Sequence, residues 1–84
     1  MYSVYVLRSK TTGRFYSGST SELARRVEEH NADATRSTKH RGPWELVYEE
    51  TFPTRSEAMR RERELKTGKG REELKRLLAQ SNHL

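Results

Sequence analysis

Glu62 stands at a position where a carboxylate is unexpected. On a helix it would lie in the apolar stripe formed by Ala58, Met59 and Leu65, which are three or four residues away from it. A carboxylate inside such a stripe costs free energy unless something pairs with it. We therefore expect Glu62 to have a specific partner, either a divalent metal ion or a buried arginine.

Four further residues have the types and spacings needed for phosphodiester hydrolysis. Tyr5 and Tyr16 fall on two predicted strands, and they project from one sheet face if the turn sets an odd sum of paired residue numbers. Arg26 and His30 are four residues apart on a predicted helix and therefore share a face. Together with Glu62, this set would let a carboxylate hold a divalent ion, an arginine neutralise the phosphate, and a tyrosine or histidine handle the attacking water.

The elements that would position these residues begin with a hairpin and a helix. Alternating β-branched and aromatic residues predict a strand over residues 2–7, and a second strand over residues 14–19 follows a turn. Ser19 and Glu22 have capping-box spacing and predict a helix that runs to about Asn31. The core stripe of this helix is expected to comprise Leu23, Ala24 and Val27.

The second half of the chain predicts one strand and two helices, after a loop. Residues 44–51 alternate in polarity and indicate a strand that is buried mainly on one face. A second capping box at Thr54 opens the helix that carries Glu62, and Gly68 and Gly70 are expected to end it. A last helix is predicted over residues 71–79, with Leu74, Leu77 and Leu78 facing inward.

Length and composition limit the class of protein. The 84 residues, 31% of them hydrophobic and 35% charged, predict one domain over residues 1–84 with a small core. We expect an α/β (α+β) fold, with a small three-stranded antiparallel sheet flanked by helices in the order β-β-α-β-α-α. The absence of cysteine excludes disulfides and fits the reducing cytoplasm. Neither a membrane span nor a signal peptide is predicted.

The net charge of +5 is unevenly distributed and favours a polyanionic partner, most simply nucleic acid. A surface that serves only solubility is the alternative. The loop over residues 35–43 is basic, and its Lys39, His40 and Arg41 are expected to contact backbone phosphates without reading the sequence. Gly18 is expected to let a backbone or phosphate approach closely at the end of the second strand. Trp44 is expected in the core.

Several short motifs resemble those of the GIY-YIG nuclease superfamily, in particular its small stand-alone bacterial members of the UPF0213 kind. The two signature tripeptides correspond to Ser3-Val4-Tyr5 and Tyr16-Ser17-Gly18. The later positions of the resemblance, which spans residues 2 to about 78, are Thr20, Glu22-Leu23, Arg26, His30-Asn31, residues 43–48, Ala58, Glu62 and Leu65-Lys66. An asparagine that many members carry beyond the glutamate is absent from residues 67–70.

The resemblance implies a metal-dependent endonuclease that hydrolyses DNA and leaves 5′-phosphate and 3′-hydroxyl ends, with a role in DNA repair or recombination. Glu62 is expected to bind Mg²⁺ or Mn²⁺, and Arg26 to bind the phosphate oxygens as charge develops on them. Tyr5, Tyr16 and His30 would manage the water, with Tyr5 as its base. An activity that depends on a protein partner, an RNA substrate and a non-catalytic nucleic-acid-binding module remain open alternatives.

Overall fold

The computed structural model describes residues 1–32 and 42–81, and these form the predicted order of elements. The three strands are β1 (Tyr2–Ser9), β2 (Phe15–Thr20) and β3 (Trp44–Phe52), and the three helices are α1 (Leu23–Asn31), α2 (Arg55–Leu65) and α3 (Gly68–Ser81). The strands make one antiparallel sheet in the order β2-β1-β3. The predicted fold class is therefore confirmed, and β2 is an edge strand.

Helices cover both faces of the sheet. One core lies on the face of Val4 and Val6, where α2 and α3 contribute Ala58, Leu65 and Leu74. A second core lies on the opposite face and contains Tyr5, Leu7 and Trp44, against which Leu23 and Val27 of α1 pack. The expected burial of Trp44 is confirmed, whereas Ala24 is exposed because α1 turns it away from the sheet.

A bulge in β3 corrects the prediction that one face of this strand is buried. Val6 pairs with Tyr48 but Leu7 pairs with Leu46, so Val47 is the extra residue. Trp44 consequently packs on the Tyr5 face, while Tyr48 packs on the Val6 face. An uninterrupted alternation would have placed both aromatic residues on one side.

The first capping-box prediction is wrong and the second is right. Ser19 lies within β2 and pairs with Val4, and the side chain of Glu22, the N-cap residue of α1, makes no capping hydrogen bond. Thr54 does cap α2, because its hydroxyl accepts a hydrogen bond from the backbone N–H of Glu57 at 3.3 Å. The spacing alone could not show that strand pairing would take Ser19.

Gly68 and Gly70 begin α3 rather than ending α2, which already ends at Leu65. Thr67 accepts a hydrogen bond from the Gly70 backbone N–H at 3.0 Å and so caps the new helix. A Cβ on Gly70 would lie 1.8 Å from the carbonyl oxygen of Glu64. The tight connection between the two helices therefore requires glycine at position 70.

Arg61 ties α2 to the neighbouring elements. Its guanidinium forms ion pairs with Glu50 of β3 (Nε–Oε1, 3.2 Å), Glu64 of α2 (Nη1–Oε1, 3.2 Å) and Glu73 of α3. The Glu50 contact is an ion pair without hydrogen-bond geometry, since Nε makes no hydrogen bond. The Arg61 side chain is largely buried, so its ion pairs with Glu50 and Glu73 hold α3 in place against the sheet.

Within the described residues, none of the helices combines the length and apolar character that a bilayer crossing requires.

Candidate active site

Tyr5 and Tyr16 lie on the same face of the hairpin, as the odd pairing sum required. β1 and β2 pair Tyr5 with Gly18 and Leu7 with Tyr16, and the two tyrosine rings are 6.5 Å apart between centroids. The Tyr5 ring extends across Gly18, where an added Cβ would lie only 2.5 Å from the phenol oxygen. Tyr5 is buried (1% exposed), while Tyr16 is partly open to solvent.

His30 joins the two tyrosines from the last turn of α1. Its Nε2 lies 3.0 Å from the Tyr5 hydroxyl, and its ring centroid is 4.8 Å from that of Tyr16. Burial, and then the positive charge of Arg26, lowers the pKa of the His30 imidazole. His30 is therefore neutral at pH 7, and its Nε2 can accept the Tyr5 hydroxyl proton in a hydrogen bond when Nδ1 carries the ring proton.

Burial raises the pKa of the Tyr5 phenol, and the hydrogen bond from Arg26 does not offset this effect. A raised pKa makes the phenolate rarer than in free tyrosine, which argues against Tyr5 as the base that deprotonates water. The geometry instead suits Tyr5 to positioning His30 and Arg26. Tyr16 is the more accessible phenol of the pair.

Arg26 points toward the tyrosines, and its neighbour Arg25 points toward solvent. The Arg26 side chain is 35% exposed, interacts with the Tyr5 phenol and pairs with Glu29 (Nη1–Oε1, 3.0 Å). Arg25 is 69% exposed and pairs with Glu22 (Nη1–Oε2, 2.9 Å). The two neighbouring arginines therefore differ in direction, and Arg26 is also ion-paired with a carboxylate.

Glu62 lies partly buried between Ala58 and Leu65, as the apolar stripe predicted, although Met59 is exposed. Its partners are the hydroxyl of Ser19, 2.7 Å from Oε1, and the ammonium of Lys66, 2.8 Å from Oε2. Among the described residues no arginine forms an ion pair with Glu62, and Arg26 pairs with Glu29. Lys66 follows Glu62 by four residues, a spacing that could have revealed this pair in the sequence. The Ser19 contact had no comparable signal.

Glu62 is ionised at neutral pH. Burial alone would raise the pKa of its carboxyl group, but the hydrogen bonds from Lys66 and Ser19 outweigh burial and the pKa lies below its usual value. Each carboxylate oxygen accepts one of these hydrogen bonds and keeps a further lone pair.

The edge strand β2 connects Glu62 to the tyrosines. Ser19, which binds Glu62, directly follows Gly18, over which the Tyr5 ring lies. The Glu62 charge is close enough to contribute to the raised pKa of Tyr5. Lys66 and Tyr16 also line one common cavity. The predicted residues Tyr5, Tyr16, Arg26 and His30 thus lie on the α1 side of β2, and Glu62 approaches the same strand from the α2 side.

The donor set suits a weakly held hard cation more than a preformed metal cage. The described residues contain no group of three or more histidine, aspartate or glutamate side chains that could hold a metal. Glu62 nevertheless offers an ionised carboxylate beside a cavity of about 490 Å³. Mg²⁺ commonly uses one or two carboxylates, substrate phosphate and water, so Glu62 fits as its protein ligand.

The predicted phosphate contacts fall partly outside this description. Lys39, His40 and Arg41 lie outside the described residues. The close approach expected at Gly18 is made by the Tyr5 ring, which fills the space over its Cα atom. A phosphate contact at Gly18 stays a prediction.

The fold and the residues around β2 define a class of protein, namely a small α+β domain of nuclease type. A family model described as the GIY-YIG catalytic domain matches residues 1–75, so the chain belongs to the GIY-YIG family. Family membership indicates a nuclease-type function with a nucleic acid as substrate.

Two curated relatives and one solved structure that are similar to this chain are all UPF0213 proteins. A UPF0213 protein of Halobacterium salinarum is 45% identical over 67 residues, which cover 79% of this chain and 86% of the relative. A UPF0213 protein of Staphylococcus haemolyticus is 42% identical over 73 residues, covering 86% and 88%. The solution NMR structure of the UPF0213 protein BH0048 from Bacillus halodurans is similar with a TM-score of 0.56 and 37% identity, covering 92% of this chain and 85% of that one.

Proposed function

We propose that residues 1–84 form a single endonuclease domain that hydrolyses DNA phosphodiester bonds with the help of Mg²⁺ or Mn²⁺. The observation that carries the proposal is the meeting of two tyrosines, a neutral histidine and an arginine at the strand whose Ser19 holds the ionised Glu62. A cytoplasmic role in DNA repair or recombination completes the proposal, and a protein partner would supply specificity.

Each residue receives a role from its geometry. Arg26 binds the non-bridging oxygens of the scissile phosphate, because it is the cation directed toward the tyrosines. Tyr16 orients the attacking water, because it is the more accessible phenol. The buried hydrogen bond between Tyr5 and His30 fixes both side chains. His30 in turn packs against the Tyr16 ring, and Tyr5 interacts with Arg26, so the pair positions these two residues.

Glu62 would hold the divalent ion, with Ser19 fixing the carboxylate orientation. When bound, the ion supplies charge stabilisation for the departing 3′ oxygen. In the overall reaction the water oxygen bonds to phosphorus and gives up one proton, the bond from phosphorus to the 3′ oxygen breaks, and the 3′ oxygen takes up one proton, so the protons balance. The Lys66 ammonium contacts Oε2 of Glu62. It must therefore share the carboxylate with the divalent ion or move away from it.

The Glu62–Lys66 pair is also the observation that favours a second candidate, a nucleic-acid-binding module without catalysis. In that case the carboxylate serves only to fix α2 against β2, and the same basic surface grips DNA or RNA. The ion pair stabilises Glu62 without any metal.

A cleavage assay separates these functions. The protein is incubated with labelled linear, flapped and branched DNA, or with matched RNA, in the presence of Mg²⁺, Mn²⁺ or chelator. We expect metal-dependent cutting of DNA that leaves 5′-phosphate ends. Binding to every substrate with no cut strand under any condition would favour the binding module, and cutting of RNA alone would reassign the substrate.

A further inference from the structure

A basic groove runs beside the candidate active site, between β2 and the helices α2 and α3. It encloses about 530 Å³, and the residues that define it here are Arg14, Phe15, Tyr16, Lys66, Arg71 and Lys75. None of the described residues that line it is acidic. A concave surface whose charged lining groups are all cations attracts a polyanion, because its walls concentrate the positive field.

The spacing of residues on α3 produces this groove. Arg71 and Lys75 are four residues apart and lie beside Leu74, whose side chain is buried in the core. Lys69 and Arg76 instead lie near Glu73, whose carboxyl pKa they lower, secondarily to Arg61. One helix therefore presents two pairs of cations, and only one pair faces the groove.

Three of the four groove cations are available for a ligand, whereas Lys66 pairs with Glu62. Among residues 1–32 and 42–81, Arg14, Arg71 and Lys75 form no ion pair, whereas Arg25, Arg26 and Arg61 all do. All three free cations are exposed. Within the part of the chain that the structure describes, no carboxylate pairs with these three cations.

Phe15 adds an aromatic surface to the groove. It lies on β2, an edge strand, and is 46% exposed, so part of its ring is accessible to a ligand. Single-stranded nucleic acids offer open base faces that stack on such rings, whereas the bases of a duplex are stacked on one another. Cations with an exposed aromatic residue therefore favour an unpaired strand.

The groove borders the candidate active site, because Tyr16 and Lys66 both line it. Tyr16 packs against His30, and Lys66 binds Glu62. A strand bound in the groove would therefore lie next to two residues that contact the proposed catalytic groups.

We propose that the basic groove binds an unpaired segment of the nucleic-acid substrate, with its phosphates on Arg14, Arg71 and Lys75 and one base on Phe15. The link to cleavage rests on the proposed nuclease function, whereas strand binding in the groove does not. The substrate class that follows is DNA with a single-stranded arm next to the cleaved bond, such as a flap.

The test is fluorescence anisotropy with a labelled oligothymidine strand and with a blunt hairpin duplex, both in chelator. The double variant Arg71→Gln/Lys75→Gln is compared with Lys69→Gln/Arg76→Gln, which removes the same charge from the other side of the same helix. If two phosphate contacts are lost, the slope of log K against log salt becomes shallower by about 1.4, which corresponds to binding about 25-fold weaker at ~0.1 M salt. Phe15→Leu should weaken strand binding about fivefold or more.

The Lys69→Gln/Arg76→Gln control should bind the oligothymidine strand with an affinity within about threefold of the wild type. Phe15→Leu should likewise change the affinity for the hairpin duplex by less than about threefold. Equal weakening by both double variants, or unchanged strand binding by Phe15→Leu, would overturn the groove. Because binding is measured without metal, failure of the nuclease proposal leaves this result readable. Conversely, cutting of a flap at the wild-type rate by the Arg71→Gln/Lys75→Gln variant would overturn the link between the basic groove and cleavage, while the nuclease proposal would stand.

Discussion

Gly18→Ala should destabilise the protein by forcing the Tyr5 ring away from β2. The added Cβ would lie 2.5 Å from the phenol oxygen and 2.7 Å from the adjoining Cζ, so the ring must move by roughly 1 Å to reach an ordinary contact distance. Such a movement breaks the buried hydrogen bond of 3.0 Å between Tyr5 and His30. Alanine in place of glycine ordinarily stabilises by restricting the unfolded chain, so a loss would be informative.

Overpacking and an unsatisfied buried hydroxyl each cost about 1–3 kcal/mol, and we expect the free energy of unfolding to fall by about 2–4 kcal/mol. Urea and thermal unfolding, followed by circular dichroism, measure this loss, and the midpoint temperature should fall by at least about 10 °C. The matched experiment places Gly18→Ala in a Tyr5→Leu background, where the side chain that clashes is shorter. There the cost should drop below about 1 kcal/mol. An equal cost in both backgrounds would refute the role of the Tyr5 contact.

Three further predictions concern charge. Arg26→Ala should lower the cleavage rate about 10²- to 10³-fold at unchanged stability. The control Arg25→Ala removes an exposed arginine near the same Glu29 and should change the cleavage rate less than about threefold. Equal losses of rate would contradict the assignment of Arg26 as the phosphate-binding arginine. Because the pKa of His30 is lowered in the folded state, the free energy of unfolding should fall as the pH drops below about 6.5, where the unfolded chain binds a proton that the folded chain does not. Urea unfolding between pH 5 and 7 measures this dependence, and His30→Gln should make it flatter. An unchanged pH dependence in His30→Gln would argue against a lowered His30 pKa. Arg61→Gln should cost about 1–3 kcal/mol in the same unfolding assay, since it leaves Glu50 and Glu73 without their partner, and a loss below about 0.5 kcal/mol would show that this ion-pair cluster contributes little.

Local sequence patterns predicted most of the fold, and failed where a distant segment competed with them. The Thr54 cap depended on residues three apart and was predicted correctly. Ser19 carried the same local signal, but pairing with Val4 in the sheet took precedence over helix capping. The bulge at Val47 depends on the register between β1 and β3, which alternation along β3 alone does not encode.

The candidate site shows the same division. The common face of Tyr5 and Tyr16 followed from hairpin parity, and the inward position of Glu62 followed from helical periodicity. The serine partner of Glu62 could not be predicted, because residues 19 and 62 meet only through tertiary packing. The burial that raises the pKa of Tyr5 is likewise a property of the packed core, and it moves the expected water-handling role toward Tyr16.

The most direct test of a catalytic Glu62 compares Glu62→Gln with Glu64→Gln. Both residues are ion-paired glutamates of α2, but Glu64 is exposed and pairs with Arg61 away from β2. Cleavage of labelled flap DNA with Mg²⁺ should be lost in Glu62→Gln while strand binding stays within about threefold, and Glu64→Gln should keep both. Metal-dependent cleavage that survives Glu62→Gln at the wild-type rate would contradict the account.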